Sequence, residues 1–239
     1  MAKDGYEQFC PVAMAAEVLC TRWTIVLLRE FMAGSTRFNA LRRGVPRMSP
    51  ALLSLRLKEL EAAGVVSKSV GGRGASGSEY RLTDAGRELI PIIQAFGVWG
   101  QRWIDSDLSL SRLDAQLLMW DMRRNLDPDP LPPQRSVIRF VYPEVAAAHS
   151  QWWLIVEPGT DVDLCSVDPG HDLDLDVRSD LRTMTAIWMG RERVDTAVAD
   201  GRLALDGDAG LRRSMQKWLG LSPFAKIALP ERTGLPMER

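Results

Sequence analysis

The side chains best placed to do chemistry lie on one face of the segment Met48–Gly64, which reads MSPALLSLRLKELEAAG. The residues of this face, at helical spacing, are Ala51, Ser54, Leu55 and Lys58, with Arg56 at its edge. Small and cationic side chains allow a helix to approach an anionic surface closely. A solvated surface helix presents the same kind of face, so the spacing alone leaves both interpretations open.

Other candidate residues give no indication of catalysis or metal binding. The two histidines, His149 and His171, have no Cys, Glu or His at ligand spacing and no nucleophile beside them. Three alternating aspartates in 172–176 lack the glycine and glutamate of a calcium-binding loop, and we expect them on the solvated face of a strand. We therefore expect no enzymatic activity, no metal and no cofactor.

The segment Met48–Gly64 has its own start and stop signals for a helix. Ser49 is a favourable N-cap, Pro50 suits the first helical position, and Gly64 follows as a terminator. The apolar stripe of this helix consists of Leu53, Leu57 and Leu60. One side of the helix is therefore expected in a core, and the other remains available.

The flanking segments predict a helix-turn-helix followed by a hairpin. A shorter helix is expected at 37–46, with a tight connection to the next helix. Two strands are expected at 65–70 and 79–83, joined by a glycine-rich loop that contains Arg73. This order is the layout of a winged helix, which would offer its second helix to a major groove.

Length and composition indicate a globular chain of one large or two modest domains. The chain has 239 residues, 46% of them apolar, and contains no run of eighteen apolar residues. Its N-terminus lacks the apolar segment of a signal peptide. The cysteines, Cys10, Cys20 and Cys165, form neither an even framework nor a paired metal spacing, which fits a reducing cytoplasm and no membrane partner.

Charge is unevenly distributed along the chain. Residues 1–106 hold 14 Lys and Arg against 10 Asp and Glu, a net charge of +4. Residues 107–239 hold 16 against 21, a net charge of −5. This asymmetry favours polyanion binding by the first half.

Several motifs occur in a fixed order between residues 10 and 86. They are Cys10-Pro11-Val12, Arg22-Trp23-Thr24, Arg37-Phe38 with Leu41 and Arg42, Ser49-Pro50 with Leu53, Arg56-Leu57 and Leu60, and Glu79-Tyr80 with Leu82-Thr83 and Gly86. Through them, residues 6–104 resemble the HxlR-type winged-helix transcriptional regulators, relatives of the MarR group. The resemblance implies a mainly α winged helix-turn-helix that binds a double-stranded DNA operator and associates with the nucleoid.

The resemblance also implies roles for individual residues. The residues expected at DNA are Arg37, Ser49, Pro50, Ala51, Ser54, Leu55, Arg56, Lys58 and Arg73. Among them, Arg37 and Arg56 are expected on the phosphate backbone and Arg73 near the minor groove. Members of the family use the cysteine at the position of Cys10 as a thiol sensor, and a small buried side chain is the alternative.

The helix that follows the wing has a large apolar stripe. Thr83 is its expected N-cap. The stripe comprises Leu89, Ile92, Ile93, Phe96, Trp99 and Trp103. The family resemblance implies that the second subunit of a homodimer covers it, whereas packing against the C-terminal half is the alternative.

Residues 106–111 are polar and mark a boundary between domain 1–106, for DNA binding and dimerisation, and domain 107–239. In the second domain, strands are expected at 136–142, 151–157, 162–167, 172–177 and 202–205, and helices at 111–125, 181–190, 193–200 and 209–219. These elements predict an α+β fold with an antiparallel sheet covered by helices on one side.

The second domain resembles the sterol-carrier-protein family of lipid-binding domains. The resemblance rests on the segment 172–177, the helix ending at Gly190 and the run 200–208 with the helix after it. It implies an apolar ligand tunnel without catalytic residues. The side chains expected around the tunnel are Trp152, Met184, Ile187, Trp188, Met215 and Trp218, for which ordinary core packing is the alternative.

Together these features predict a homodimeric transcriptional regulator, a repressor, whose C-terminal domain binds a small apolar effector. A first alternative is a thiol-based redox regulator that acts through Cys10 and has a structural C-terminal domain. A second alternative, from another class, is a lipid carrier or ligand-processing protein.

Overall fold

The computed structural model describes residues 5–70, 77–104, 110 and 112–228 of the chain. The chain divides into two compact units, residues 1–96 and residues 97–239. The elements of the first unit are α1 (Pro11–Leu19), α2 (Thr24–Met32), α3 (Phe38–Gly44), α4 (Pro50–Ala62), β1 (Val66–Val70), β2 (Ser78–Leu82) and α5 (Asp84–Glu88). Helix α6 (Ile90–Trp103) begins in the first unit and ends in the second.

Caps and apolar stripes fix most of the first unit as the sequence predicted, but Thr83 caps the short α5 and not the helix of the large apolar stripe, which is α6 and begins at Ile90. The hydroxyl of Ser49 accepts a hydrogen bond from the Leu52 amide at 3.3 Å, and the hydroxyl of Thr83 accepts one from the Gly86 amide at 3.1 Å. Each cap satisfies one amide that has no partner within its helix. The stripe of α4, Leu53, Leu57 and Leu60, is buried against residues of α2, α3 and β1. The two strands pair as an antiparallel hairpin.

A buried carboxylate joins α2 to the end of α3. Glu30 is fully buried, and its carboxylate accepts hydrogen bonds from Arg29 at 2.5 Å and from the Ser35 hydroxyl at 3.4 Å. Arg29 also donates to the Gly44 carbonyl at 3.1 Å. A Cβ atom at Gly44 would lie 1.8 Å from the Glu30 carboxylate, so only glycine fits at this end of α3.

The second unit is an α+β fold. Its elements are the end of α6, α7 (Ala115–Asn125), β3 (Ser136–Val141), a single 3-10 turn (Ala147–His149), β4 (Gln151–Val156), β5 (Asp163–Cys165), β6 (Leu175–Ser179), α8 (Leu181–Trp188), α9 (Val194–Ala199), β7 (Leu203–Gly207) and α10 (Ala209–Trp218). The five strands form one sheet in the order β5-β4-β3-β6-β7. The buried residues of α7 to α10 share one core with alternate residues of the strands, so these helices cover one face of the sheet.

The predicted antiparallel sheet is only partly right, because the sheet is mixed. β3 pairs antiparallel with β4 but parallel with β6, in the register Ile138 opposite Leu175. The remaining neighbours, β4–β5 and β6–β7, are antiparallel. Alternation of apolar residues predicts which face of a strand is buried, but it contains no information about the direction of the neighbouring strand.

The acidic segment 172–176 is not the solvated strand face that the sequence suggested. β6 begins only at Leu175, so Asp172 precedes the strand. The carboxylate of Asp174 accepts a hydrogen bond from the Val137 amide at 2.8 Å. Asp176 forms an ion pair with Arg139 of β3 at 2.8 Å. Two of the three carboxylates therefore join β6 to β3.

Within the described residues, no single helix has the length and apolar composition needed to cross a membrane. Helices α1 and α2, which meet at 81°, satisfy both criteria only when they are taken together.

Candidate nucleic-acid interface

The outward face of α4 is exposed along its length. The exposed residues of α4 and its N-cap are Ser49, Pro50, Ala51, Ser54, Leu55 and Lys58, together with the acidic Glu61 and the terminal Ala62. Leu55 is 49% exposed, although its side chain is large and apolar. The first two turns present small side chains and hydroxyl groups, and Lys58 adds a positive charge one turn later. A surface of this kind can contact phosphates and base edges.

Arg56 turns away from the exposed face of α4. Its Nε atom donates to the Arg22 carbonyl at 3.2 Å, and its guanidinium forms an ion pair with Glu59. Arg22 precedes Trp23, whose backbone has a left-handed conformation with φ of 79°. That conformation is costly for a residue with a large side chain, so the turn between α1 and α2 is held by the surrounding contacts. Arg56 thus connects α4 to this turn.

Arg37 lies beside the hairpin that follows α4. It is the N-cap residue of α3 and is exposed. It forms an isolated antiparallel bridge with Glu79 of β2, and the Tyr80 amide donates to the Thr36 carbonyl at 2.8 Å. The segment before α3 therefore adds a short third strand to the hairpin. Arg73, also expected at DNA, lies outside the described residues.

Three further cations accompany the predicted ones. Arg42, Arg43 and Arg47 are exposed on α3 and the turn before α4. Residues 35–58 contain five arginines, one lysine and no acidic residue. The absence of acidic residues from 35–58 is a signal in the sequence for these three arginines, which the spacing along the second helix does not include. We define the cationic surface as Arg37, Arg42, Arg43, Arg47 and Lys58.

Cys10 is the N-cap residue of α1 and is half-buried. The backbone amides of Ala13 and Val12, at the start of α1, favour the thiolate and lower the pKa of Cys10 below its ordinary value. Because the thiolate is the reactive form of cysteine, this position favours oxidation chemistry more than an apolar site would.

The side chains predicted around an apolar tunnel come together in the second unit. Trp152, Met184, Ile187, Met215 and Trp218 are buried in one core, and Trp188 packs against it partly exposed. The indole N–H of Trp218 donates to the Leu211 carbonyl at 2.9 Å, and that of Trp152 donates to the His149 carbonyl at 2.8 Å. The indole groups of Trp152 and Trp218 are thus satisfied by the protein itself, as in an ordinary core, whereas the buried indole N–H of Trp188 has no hydrogen-bond partner among the described residues.

Helix α6 has an exposed apolar face, which we define as Ile92, Phe96, Trp99, Trp103 and the following Ile104. The two tryptophans are each 55% exposed. On the inner side of the same helix, a Cβ atom at Gly97 would lie 2.2 Å from the ring of Phe224. The end of α6 thus packs against the C-terminal segment through its small residues and leaves its aromatic side uncovered within the described chain.

Comparison with known proteins covers the part of the chain that contains α2 to α6. A family model described as HxlR-like helix-turn-helix matches residues 18–108. The HTH-type transcriptional regulator YvaP of Bacillus subtilis is 37% identical over 99 residues, which are 41% of this chain and 92% of that protein. YdeP of the same organism is 34% identical over 44% of this chain and 80% of that protein.

Among solved structures, the redox regulator HypR in its reduced form is 34% identical over 43% of this chain and all of that chain, with a TM-score of 0.38. Because regulators such as YvaP are matched over nearly their whole length, the chain belongs to the HxlR-like helix-turn-helix family of transcriptional regulators.

Proposed function

We propose that the protein is a homodimeric repressor that inserts α4 into the major groove of a double-stranded DNA operator. The observation that supports this most directly is the cationic surface beside the exposed face of α4, in a run of 24 residues without an acidic side chain. Such a surface releases counterions from DNA when it neutralises phosphates. Membership of a family of DNA-binding regulators supports the same conclusion.

In this proposal each part of the site has a separate role. Ser54, Leu55 and Lys58 approach base edges and nearby phosphates, while the arginines of the cationic surface bind the backbone. Arg37 joins the hairpin through its bridge to Glu79, so a phosphate held by Arg37 positions the hairpin as well. The hairpin loop, with Arg73, would then lie near the minor groove.

A second copy of the chain is proposed to cover the exposed apolar face of α6. Each tryptophan buries a large apolar area when it is covered, and soluble proteins rarely leave several such side chains exposed together. Phe9 and Val12 at the start of α1 are also exposed, by 98% and 76%. A symmetric dimer would hold two α4 helices at the spacing of one DNA turn, about 34 Å.

The DNA-binding proposal is tested by comparing two lysine variants. Operators are first selected from random or genomic DNA with the purified full-length protein. Lys58→Ala should weaken operator binding and reduce the slope of log affinity on log salt by about one, because one phosphate contact is lost. Lys217→Ala, at an exposed position in the last turn of α10, is the matched control and should leave both quantities unchanged. Equal behaviour of the two variants would place the DNA surface elsewhere.

A thiol-based redox regulator that acts through Cys10 is the second candidate. It is supported by the place of Cys10 at the N-terminus of α1, where the backbone amides lower the pKa of the thiol. In this version the second domain is structural, and oxidation at α1 alters the operator affinity. This redox candidate uses the same DNA surface as the first proposal. The two differ only in the signal that changes operator affinity, which is oxidation of Cys10 in one and an apolar effector in the other.

In the first proposal, the signal that changes operator affinity is a small apolar molecule bound by a sterol-carrier-like second domain. The residues proposed to bind it are Trp152, Met184, Ile187, Trp188, Met215 and Trp218. Its support is the cluster of flexible methionines and tryptophans in one core. A lipid carrier or ligand-processing protein would use the same cluster without the DNA surface. The cationic surface beside α4 favours the regulator.

A further inference from the structure

The second unit contains a cavity of about 710 Å³ beside the start of α8 and the connection from α8 to α9. Its volume lies in the range of small-molecule sites in proteins. The charged residues that line it are Arg182, Arg191, Arg193, Arg202, Asp180 and Glu192. With four cations and two anions, the lining has a net charge of +2. We call this site the arginine cavity.

Both carboxylates of the arginine cavity are held by neighbouring groups. Asp180 is the N-cap of α8, where its carboxylate accepts hydrogen bonds from the Thr183 amide at 2.8 Å and from the Thr183 hydroxyl at 2.7 Å. Glu192 accepts a hydrogen bond from Arg202 at 2.7 Å. The two acids therefore stabilise the frame of the cavity.

The connection from α8 to α9 is fixed in shape by its backbone. Gly190 has a φ of +72°, which favours glycine, and the Arg191 amide donates to the Ala186 carbonyl at 2.9 Å. A Cβ atom at Gly190 would lie 2.7 Å from Cβ of Ala225, and the Ser222 amide donates to the Trp188 carbonyl at 2.8 Å. A turn of fixed backbone shape therefore positions two of the arginines, Arg191 and Arg193, which lowers the entropy cost of binding a ligand there.

The arginines also contact neighbouring groups: Arg182 donates to the Leu110 carbonyl at 3.3 Å, and Arg193 and Arg202 contact acids near the cavity. Arg193 binds Asp195 through three hydrogen bonds of 2.8 to 3.2 Å, but their side chains are 69% and 64% exposed. Arg202 binds Asp200 at 2.8 Å in a similarly exposed setting. Exposed ion pairs contribute little to stability, so an anion that enters the cavity can compete for these guanidinium groups.

We propose that the arginine cavity binds a small organic anion through its carboxylate or phosphate group. Guanidinium groups form paired, charge-assisted hydrogen bonds with both oxyanions, and all four cations of the lining are arginine. DNA is a less suitable ligand, because residues 107–239 have a net charge of −5 and the arginines line a concave site. This inference goes beyond operator binding and does not depend on it.

Calorimetric titration of the full-length protein tests the proposal, with succinate and inorganic phosphate as the anionic probes and succinamide as the uncharged control. We expect saturable binding of at least one anion and none of succinamide. The double variant Arg182→Gln/Arg193→Gln should weaken that binding at least tenfold. Arg212→Gln, an exposed arginine of α10 outside the cavity, is the matched control and should bind like the wild type. If the double variant fails to fold, Arg193→Gln alone retains the test, because its side chain is largely exposed.

The two probes distinguish a carboxylate site from a phosphate site. The proposal would be overturned if neither anion shows saturable binding up to roughly 10 mM. A dissociation constant of that size corresponds to a binding free energy of about 3 kcal/mol. Equal binding by the double variant and the wild type would also overturn it. A double variant that loses operator affinity without any small anion present would assign the cavity to the DNA backbone instead.

Discussion

At the scale of single residues, Arg56 and Lys58 differ although they are two positions apart on α4. Lys58 is exposed, whereas Arg56 bonds to the Arg22 carbonyl and to Glu59. Replacing Arg56 with alanine should therefore lower the unfolding free energy of the first unit, by about 1 kcal/mol for the lost charged hydrogen bonds. Thermal unfolding and the salt dependence of operator binding would be measured together. A reduced salt slope at unchanged stability would instead identify Arg56 as a phosphate contact, as the sequence suggested.

The ion pair between Asp176 and Arg139 gives a pH dependence to the second unit. The hydrogen bond from Arg139 lowers the pKa of Asp176 below its ordinary value of 3.8. A carboxylate with a lowered pKa in the folded state stabilises the protein above the pKa of the unfolded state, and this contribution is lost as the pH falls through the folded-state pKa. Asp176→Asn should therefore cost about 1 to 2 kcal/mol at pH 7 and progressively less below pH 4.

Urea unfolding followed by tryptophan fluorescence measures this difference, because five of the eight tryptophans lie after residue 107. Asp206→Asn is the control, since Asp206 lies opposite Asp176 on β7 but is exposed. The same loss of stability at pH 7 and at pH 3 would contradict a role for the ion pair.

The Cys10 thiol is the residue that separates the redox candidate from the others. Cys10→Ser keeps a side chain of similar size and should retain operator binding while losing any response to oxidant. Operator affinity before and after treatment with peroxide or diamide measures this, with Cys20→Ser as the matched control. If oxidant leaves the wild-type affinity unchanged, Cys10 has a structural role.

At the scale of elements, local signals predicted the helices better than the pairing of strands. Ser49 caps α4 as expected, because a cap depends only on a side chain and an amide three residues later. Thr83 also caps a helix, but that helix is the short α5 and not the expected helix with the large apolar stripe. The parallel pairing of β3 with β6 depends on contacts between Arg139 and Asp176, 37 residues apart, which no local pattern records.

The candidate DNA surface was predicted in a similar way. Spacing along α4 identified its outward face, including Ser54 and Lys58, because helical periodicity fixes which side chains share a face. Periodicity could not show that Arg56, at the edge of that face, would bend back to the Arg22 carbonyl. The reach of a long side chain depends on the acceptors that the tertiary fold brings near it.

The exposed apolar face of α6 predicts the effect of charges placed there. Trp99→Asp/Trp103→Asp should convert a dimer to a monomer, because burying two carboxylates in an apolar interface is highly unfavourable. Operator affinity should fall with it, since the two α4 helices lose their fixed spacing. Light scattering gives the mass, and Val167→Asp, at an exposed position of the second unit, is the control. A monomeric wild-type protein would contradict the dimer.

At the scale of the whole molecule, the question is whether a ligand of the second unit changes operator binding. We predict that fatty-acid-like or polycyclic apolar compounds raise the melting temperature of the full-length protein and shift its operator affinity. The coupling free energy of such effects is typically about 1 to 3 kcal/mol. A chain ending near residue 105 should bind DNA without the shift.

The same measurements with apolar compounds distinguish binding in the core around Trp152, Met184 and Met215 from binding in the arginine cavity. Trp188→Ala should change the effect of apolar compounds on the melting temperature and on operator affinity, whereas Arg193→Gln should leave that effect unchanged. An apolar library that leaves the melting temperature unchanged would mean that the side chains of Trp152, Met184 and Met215 fill their own core.

The parallel pairing of β3 and β6 also has a consequence for the order in which the chain folds. The hairpin of the first unit pairs residues only 8 to 16 positions apart. In contrast, Ile138 of β3 can pair with Leu175 of β6 only after the whole segment between them has been synthesised. Closing a longer loop costs more chain entropy, and proteins rich in distant contacts fold more slowly. During synthesis the first unit emerges before β6 exists. A ribosome-bound chain should therefore acquire its DNA-reading half while the sheet of the second unit is still incomplete.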